Sequence, residues 1–243
     1  MLRRILVFEL LLFLLPIPPA TAAETLKIAA ILQLSGPFAL QGEETGKQFR
    51  AMADLVNARG GLYDGRQIEI VALDGKGTPQ DSLVALNQAI DRQIRYVVSQ
   101  QSSVVHALND AISKHNARNP DRRMLLLISD ARDPALTEAK CSFWNFRFHY
   151  HADTEVNFLT DYLARQQSVR KVYLMNQDYA WGHAVAHASR ELARKRGDIQ
   201  IVGDDLVPLG KVKDFVPYVA KIKSSGADTV ITGNWGNDLF LLV

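Results

Sequence analysis

Apolar residues in this chain fall into short continuous runs that alternate with longer stretches where they recur every three or four positions. The run "LKIAAILQ" from Leu26 has the pattern of a strand covered on both faces. Beyond the turn residues Ser35, Gly36 and Pro37, a helical stripe of Phe49, Met52, Ala53 and Val56 ends at Gly60 and Gly61. A strand at Ile68 follows, then a helix carrying Leu83, Leu86 and Ile90 on one side. "RYVVS" predicts a third strand, the stretch 104–115 a third helix, and "MLLLIS" from Met124 a fourth strand. The aromatic piece "FWNFRF" from Phe143 breaks the rhythm. After it come a helix with Val156, Leu159 and Leu163, then "KVYLMN", "IQIVGDDL" and "DTVITG", separated by two more helices.

Strands alternating with helices of this length require right-handed crossovers and a parallel sheet. The fold class is therefore α/β, with two doubly wound parallel-sheet lobes at 23–142 and 152–243 and an interlobe crossing at 143–151. No sequence period of 20 to 50 residues repeats, which excludes a solenoid. The final "NDLFLLV" reads as the opening turns of a helix with no stop signal. The second lobe is accordingly expected to be incomplete, either a shortened gene product or a fragment.

Composition adds little to the fold and something to the location. The 243 residues are 47% hydrophobic and 22% charged, ordinary globular material. The N-terminus differs: Arg3 and Arg4 precede an apolar run at 5–15, and the small-residue pattern Ala20-Thr21-Ala22 follows. Residues 1–22 are read as a secretory signal, the run being shorter than the roughly 20 residues a membrane anchor needs, although Glu9 inside it weakens both readings. Removing Arg3, Arg4 and Glu9 turns 28 basic and 26 acidic residues into 26 and 25, a net charge of +1 that points to neither nucleic acid nor an acidic membrane. Cys141 is the single cysteine, so it is either a free buried thiol or half of a pair with another chain segment.

Ligands of open parallel sheets bind beyond the strand carboxyl ends, where helix N-termini offer unpaired N–H groups. Five such corners carry more polar or aromatic residues than turning requires: "QLSGPFALQG", "SQQSS", "SDARDP", "NQDYAWG" and "GNWGND". Ser103 is either a helix cap or a hydroxyl for an anionic ligand group, with Ser102 and Gln101 at the same corner. Tyr179 and Trp235 are core aromatics or cleft walls, both beside a glycine at a strand end.

Enzyme chemistry lacks a candidate set. His149 with His151, and His183 with His187, have zinc-compatible spacing but no third or fourth ligand nearby. "GKGTPQD" lacks the ending of a phosphate loop and reads as a turn before a helix capped by Thr78 or Asp81. No Gly-x-Ser-x-Gly elbow occurs. No metal or cofactor is called for.

The segments "LSGPFALQGEETGKQFRAMADLVNARGG", "YVVSQQSS", "DPALTEAKCSFWNFRF", "VYLMNQDYAWG" and "ITGNWGND" together resemble the branched-chain amino acid binding proteins of ABC importers, the Leu/Ile/Val-binding family, over essentially the whole mature chain. The resemblance implies a type I periplasmic binding protein: a secreted, monomeric protein whose two lobes close on a small polar, amino-acid-like solute and whose closed form a membrane permease recognises. It implies that Ser103 and the segment of Ala131, Arg132 and Asp133 receive the solute's carboxylate or backbone-like groups. Tyr179 and Trp235 come from the other lobe, and Gln41 stands where relatives often carry an aromatic. In relatives the acid that meets the ammonium lies beyond Val243. "SDARDP" departs from the leucine-type pattern, so Arg132 either pairs an acidic solute or bridges Asp130 or Asp133. A sensor on the same fold, feeding a signalling receptor, is the alternative function.

Overall fold

A computed structural model describes residues 24–164, 166 and 168–243. The proposed leader at 1–22 lies outside the described residues. The first sheet is formed by β1 (Leu26–Leu32), β2 (Ile68–Asp74), β3 (Tyr96–Ser99), β4 (Leu125–Ile128) and β5 (Asn145–Arg147), in the order β2-β1-β3-β4-β5. The second contains β6 (Lys171–Gln177), β7 (Gln200–Val207) and β8 (Thr229–Ile231), in the order β7-β6-β8. Every pairing is parallel, and in each sheet the first strand lies between the next two. Helices α1 (Ala39–Ala58), α2 (Pro79–Asp91), α3 (Ser102–Arg118), α4 (Ala152–Ala164), α5 (Ala180–Arg196), α6 (Val216–Ser224) and α7 (Gly236–Leu242) fill the intervals.

Period-two alternation along the central strands supplies two core layers per lobe. Ala29 and Ile31 of β1 join the layer containing α2 and α3, while Ala30 and Leu32 face α1. In β6, Val172 and Leu174 pack with α4 and α5, while Tyr173 and Met175 pack with Phe215 and Tyr218. Leu108, Ile112, Leu126 and Leu174 are fully buried. Each such aliphatic side chain contributes about 1.5–3 kcal/mol through removal from water.

Local signals behave as their chemistry requires. Thr78 caps α2 by accepting a hydrogen bond from Asp81 N at 3.1 Å, with Pro79 in the first turn. Gly197 ends α5 in the left-handed conformation at φ 73°. Two expectations fail. Met52 is exposed because α1 covers its sheet with a narrower stripe centred on Phe49 and Ala53. Cys141 is exposed rather than buried, since it follows a short turn instead of entering the core. The aromatic stretch after Phe143 contributes β5 to the first sheet, and the chain then enters α4 as Ala152 N donates to the Arg132 carbonyl at 2.8 Å.

Candidate functional site

The carboxyl ends of β1, β3, β4 and β8, with helices α4 and α5, border a cavity of about 480 Å3 between the sheets. The first lobe supplies Gln33 beyond β1, Gln41 and Thr45 from α1, and Gln100 and Gln101 beyond β3. Asp130 and Arg132 complete that side. The second lobe supplies Glu155 from α4, Trp181 from α5, and residues 231–235 at the end of β8.

Both lobes approach the cavity through the same backbone device. Gly42 lies in the first turns of α1 so close to the end of β1 that a Cβ would stand 2.0 Å from the Gln33 carbonyl oxygen. Gly182 repeats this in α5, with 1.8 Å to the Gln177 carbonyl oxygen. Only glycine allows a helix to start so tightly against its strand. The tight start holds Gln41 and Trp181, each beside its glycine, in the cavity wall.

The hydroxyls after β3 are engaged by backbone. Gln101, not a serine, is the N-cap residue of α3, and its side chain caps nothing. Ser102 Oγ accepts a hydrogen bond from Arg132 N at 3.3 Å. Ser103 Oγ accepts one from Ala180 N at 3.2 Å, so it caps α5 of the other lobe. Tyr179 stands beside that contact, and its hydroxyl accepts from Trp235 Nε1 at 2.7 Å. Burial holds the Tyr179 hydroxyl well above the ordinary phenol range. Trp235 lines the cavity and meets Phe38 of the first lobe, ring centroids 4.4 Å apart.

The segment 131–133 splits three ways. Ala131 is buried in the first core. Arg132 reaches the cavity, donating through Nε to Asp130 at 2.9 Å and through Nη1 to Glu155, with its guanidinium over the rings of Tyr150 and Trp181. Asp133 points away from it, accepting from Ala135 N at 3.0 Å and meeting His106 Nε2 at 2.8 Å. Of the nine residues singled out by sequence, Gln41, Gln101, Arg132 and Trp235 line the cavity. Ser102, Ser103 and Tyr179 tie its walls together, and Ala131 and Asp133 lie behind it.

Glu155 and Asn234 escaped the sequence reading. Glu155 looked like an ordinary acidic residue in a helix's first turn. Asn234 lay inside "GNWGND", where its polarity next to a strand end was the available signal. Asn234 is 5% exposed, yet neither end of its side-chain amide has a partner. Gln41 Oε1, Gln101 Oε1 and Glu155 Oε2 are likewise buried without partners. Burial raises the Glu155 pKa above its ordinary value despite Arg132, whereas the Asp130 and Glu155 carboxylates raise Arg132 more than burial lowers it.

Among the described residues no group of three or more His, Cys, Asp or Glu is placed to hold a metal ion. His149 and His183 pair instead with Asp130 and Asp178, at 3.5 and 2.8 Å. No helix among the described residues is long and apolar enough to cross a membrane.

Two parallel-sheet lobes with their strand carboxyl ends around a shared polar cavity have the architecture of the bilobal periplasmic binding proteins. The periplasmic binding protein family model matches residues 25–243, and the chain belongs to that family. It is 34% identical over 228 residues to Leu/Ile/Val-binding protein homolog 4 of Brucella abortus, an alignment covering 91% of this chain and 53% of that protein. It is 25% identical over 215 residues to the Leu/Ile/Val-binding protein of Escherichia coli, covering 88% and 55%. Among solved structures it is similar to the leucine-, isoleucine-, valine-, threonine- and alanine-binding protein of Brucella ovis in its closed conformation. There the TM-score is 0.75 and the identity 34%, over 90% of this chain and 56% of that one. A solute-binding protein of an ABC transporter from Rhodopseudomonas palustris HaA2, in complex with p-hydroxybenzoic acid, shares the fold at TM-score 0.75 and 22% identity, over 90% and 56%. The chain spans about half the length of the curated relatives it matches.

Proposed function

We propose that this protein is the periplasmic solute-binding component of an ABC importer, acting as a monomer. It holds an amino-acid-like small polar solute between its lobes and releases it unaltered to the membrane permease. The observation that carries this reading is the cavity of about 480 Å3, walled by both lobes and lined by buried polar atoms without partners. An unpartnered buried polar group costs about 1–3 kcal/mol, a cost that a ligand's complementary groups relieve. Gln41, Gln101, Arg132 and Trp235 then touch the solute. Ser102, Ser103, Tyr179, Ala131 and Asp133 shape the walls that bring those groups together.

Closure on this reading is a hinge motion at the interlobe crossing, favoured because the solute contacts both lobes. The relatives named for leucine, isoleucine and valine support the amino-acid class. The test is the melting temperature of the protein against a panel of L-amino acids, amides and small organic acids. A solute at 100 times its Kd stabilises the folded state by about 2.7 kcal/mol, a rise of a few degrees. A flat profile across the panel at millimolar concentrations would remove the proposal.

A further inference from the structure

The arginines of the two lobes stand in different company. In the second lobe Arg170, Arg190, Arg194 and Arg196, every arginine described there, each pair with a carboxylate. In the first lobe Arg92, Arg95, Arg118, Arg122 and Arg123 are exposed, and among the described residues none of them forms an ion pair. All five gather at the amino ends of β3 and β4. Arg92 closes α2 and Arg118 ends α3, and the turns that follow lead into those two strands. Arg95 Nε donates to the Arg123 carbonyl at 2.9 Å, and Leu125 N donates to the Arg95 carbonyl at 2.8 Å, which sets the two approaches side by side. Asp91 and Asp121, the carboxylates nearest in sequence, are exposed and pair with none of the five. Compensation of helix C-termini accounts for Arg92 and Arg118, but not for Arg95, Arg122 and Arg123, which lie outside both helices.

Aromatic surface adjoins this charge. The Arg123 guanidinium lies 5.2 Å from the ring centroid of Trp144, which packs on the first core. Phe143 meets Trp144 edge-on, ring centroids 5.0 Å apart, and is 80% exposed. Leu126 N donates to the Trp144 carbonyl at 2.8 Å, so the pair stands at the same amino end of the sheet. Unpaired guanidiniums beside an exposed aromatic suit a bilayer interface, where the cations meet phosphates and the ring enters the headgroup layer. A soluble polyanion would use the charges and leave Phe143 in water. We propose that this end of the first lobe docks reversibly on a membrane surface rich in anionic phospholipid headgroups. The near-neutral total charge of the chain does not report such a patch, because the field of these arginines is local. Arg95 and Gln100 flank β3 and stand about 16 Å apart at the rise of an extended strand, one in the patch and the other in the cavity wall. Docking therefore leaves the cavity facing away from the bilayer and free to load solute.

None of the five arginines lines the cavity, so the membrane surface and the solute site are tested separately. Co-sedimentation of the full chain with phosphatidylcholine vesicles, with and without ~25% phosphatidylglycerol, is the direct measurement. Tighter binding to the anionic vesicles is expected, weakening at least about tenfold as salt rises from about 0.05 to 0.5 M. Arg92→Gln, Arg118→Gln and Arg122→Gln together should weaken it about 100-fold. These three side chains have no hydrogen bond or ion pair to lose, so the melting temperature should hold. A matched control in the second lobe, Lys195→Gln, Lys211→Gln and Lys213→Gln, removes the same charge from exposed positions and should leave binding within about twofold. Phe143→Ser should weaken binding about fivefold and leave its salt dependence in place. Equal binding to the two kinds of vesicle, equal losses from the two triple variants, or capture of polyglutamate without preference for anionic vesicles overturns the proposal. The comparison of vesicles uses wild-type protein alone, so it stands even if a variant folds poorly.

Discussion

The corner after β3 and the corner after β8 are both rich in small polar residues, and they do different work. At the first, Ser102 Oγ is engaged by Arg132 N and Ser103 Oγ by Ala180 N, so the hydroxyls join a neighbouring loop and the opposite lobe. At the second, Asn234 is almost fully enclosed and both ends of its amide are unpartnered. Polarity alone therefore does not mark a contact with ligand. A polar group already satisfied by backbone holds the walls in place, and one left unsatisfied inside a cavity is held ready for a guest.

The largest effect expected from breaking this architecture comes from the two glycines that set the helix starts. Gly42→Ala and Gly182→Ala each place a methyl about 2 Å from a carbonyl oxygen, which only backbone movement relieves. Each should cost about 3 kcal/mol or more in urea unfolding and reduce solute binding at the same time. A cost under about 1 kcal/mol would show that the tight helix starts are not required.

The contrast between the corners is sharpened by a pair of substitutions with opposite signatures. Ser103→Ala should lower stability by about 1 kcal/mol, through loss of the cap on Ala180 N. Asn234→Ala removes two unpartnered buried atoms, so its stability should stay within about 1 kcal/mol of wild type while solute affinity falls about tenfold or more. Calorimetry and chemical denaturation of both variants check this. Reversal of the two signatures would exchange the roles assigned to the corners.

The smallest effects concern pH, where two acids, Asp133 behind the cavity wall and Glu155 in it, act in opposite directions. Burial acts to raise Asp133, but hydrogen bonds from His106 and Ala135 N leave it below its ordinary value. Its contribution to stability is present above the unfolded-state value near about 4 and is lost as pH falls through the lower native value. Glu155 is raised, so its effect has the other sign. It favours folding most below its unfolded-state value of about 4.3, and that advantage is lost as pH rises through the native value. Asp133→Asn should therefore flatten the acid limb of a stability profile, whereas Glu155→Gln should raise stability slightly at neutral pH. Titration of urea midpoints from pH 3 to 8 reads both slopes, and slopes of the same sign would contradict the assignment.

The alternation of strands and helices was legible because burial on both sheet faces imposes long apolar runs, as in β1 and β6. Thr78 announced its helix start through capping chemistry. Met52 misled because helical spacing does not tell how wide a face the sheet covers. The cavity-lining residues Gln101, Arg132 and Trp235 were readable because corners after parallel strands converge, whereas Gln41 was singled out only through the family resemblance. The partners of Ser102 and Ser103 were not, since they lie 30 and 77 residues away along the chain, in a neighbouring loop of the same lobe and in the opposite lobe. Glu155 was hidden for the same reason: its surroundings come from Arg132, 23 residues earlier, and nothing local distinguishes it.

A crystal structure of the protein grown with whichever solute most raises its melting temperature bears most directly on the role of the cleft. Electron density for that solute is expected between Arg132 and Glu155 on one side and Trp235 on the other, touching both lobes. A solute seated elsewhere on the molecule, with this cavity holding only water, would contradict the role given to it here.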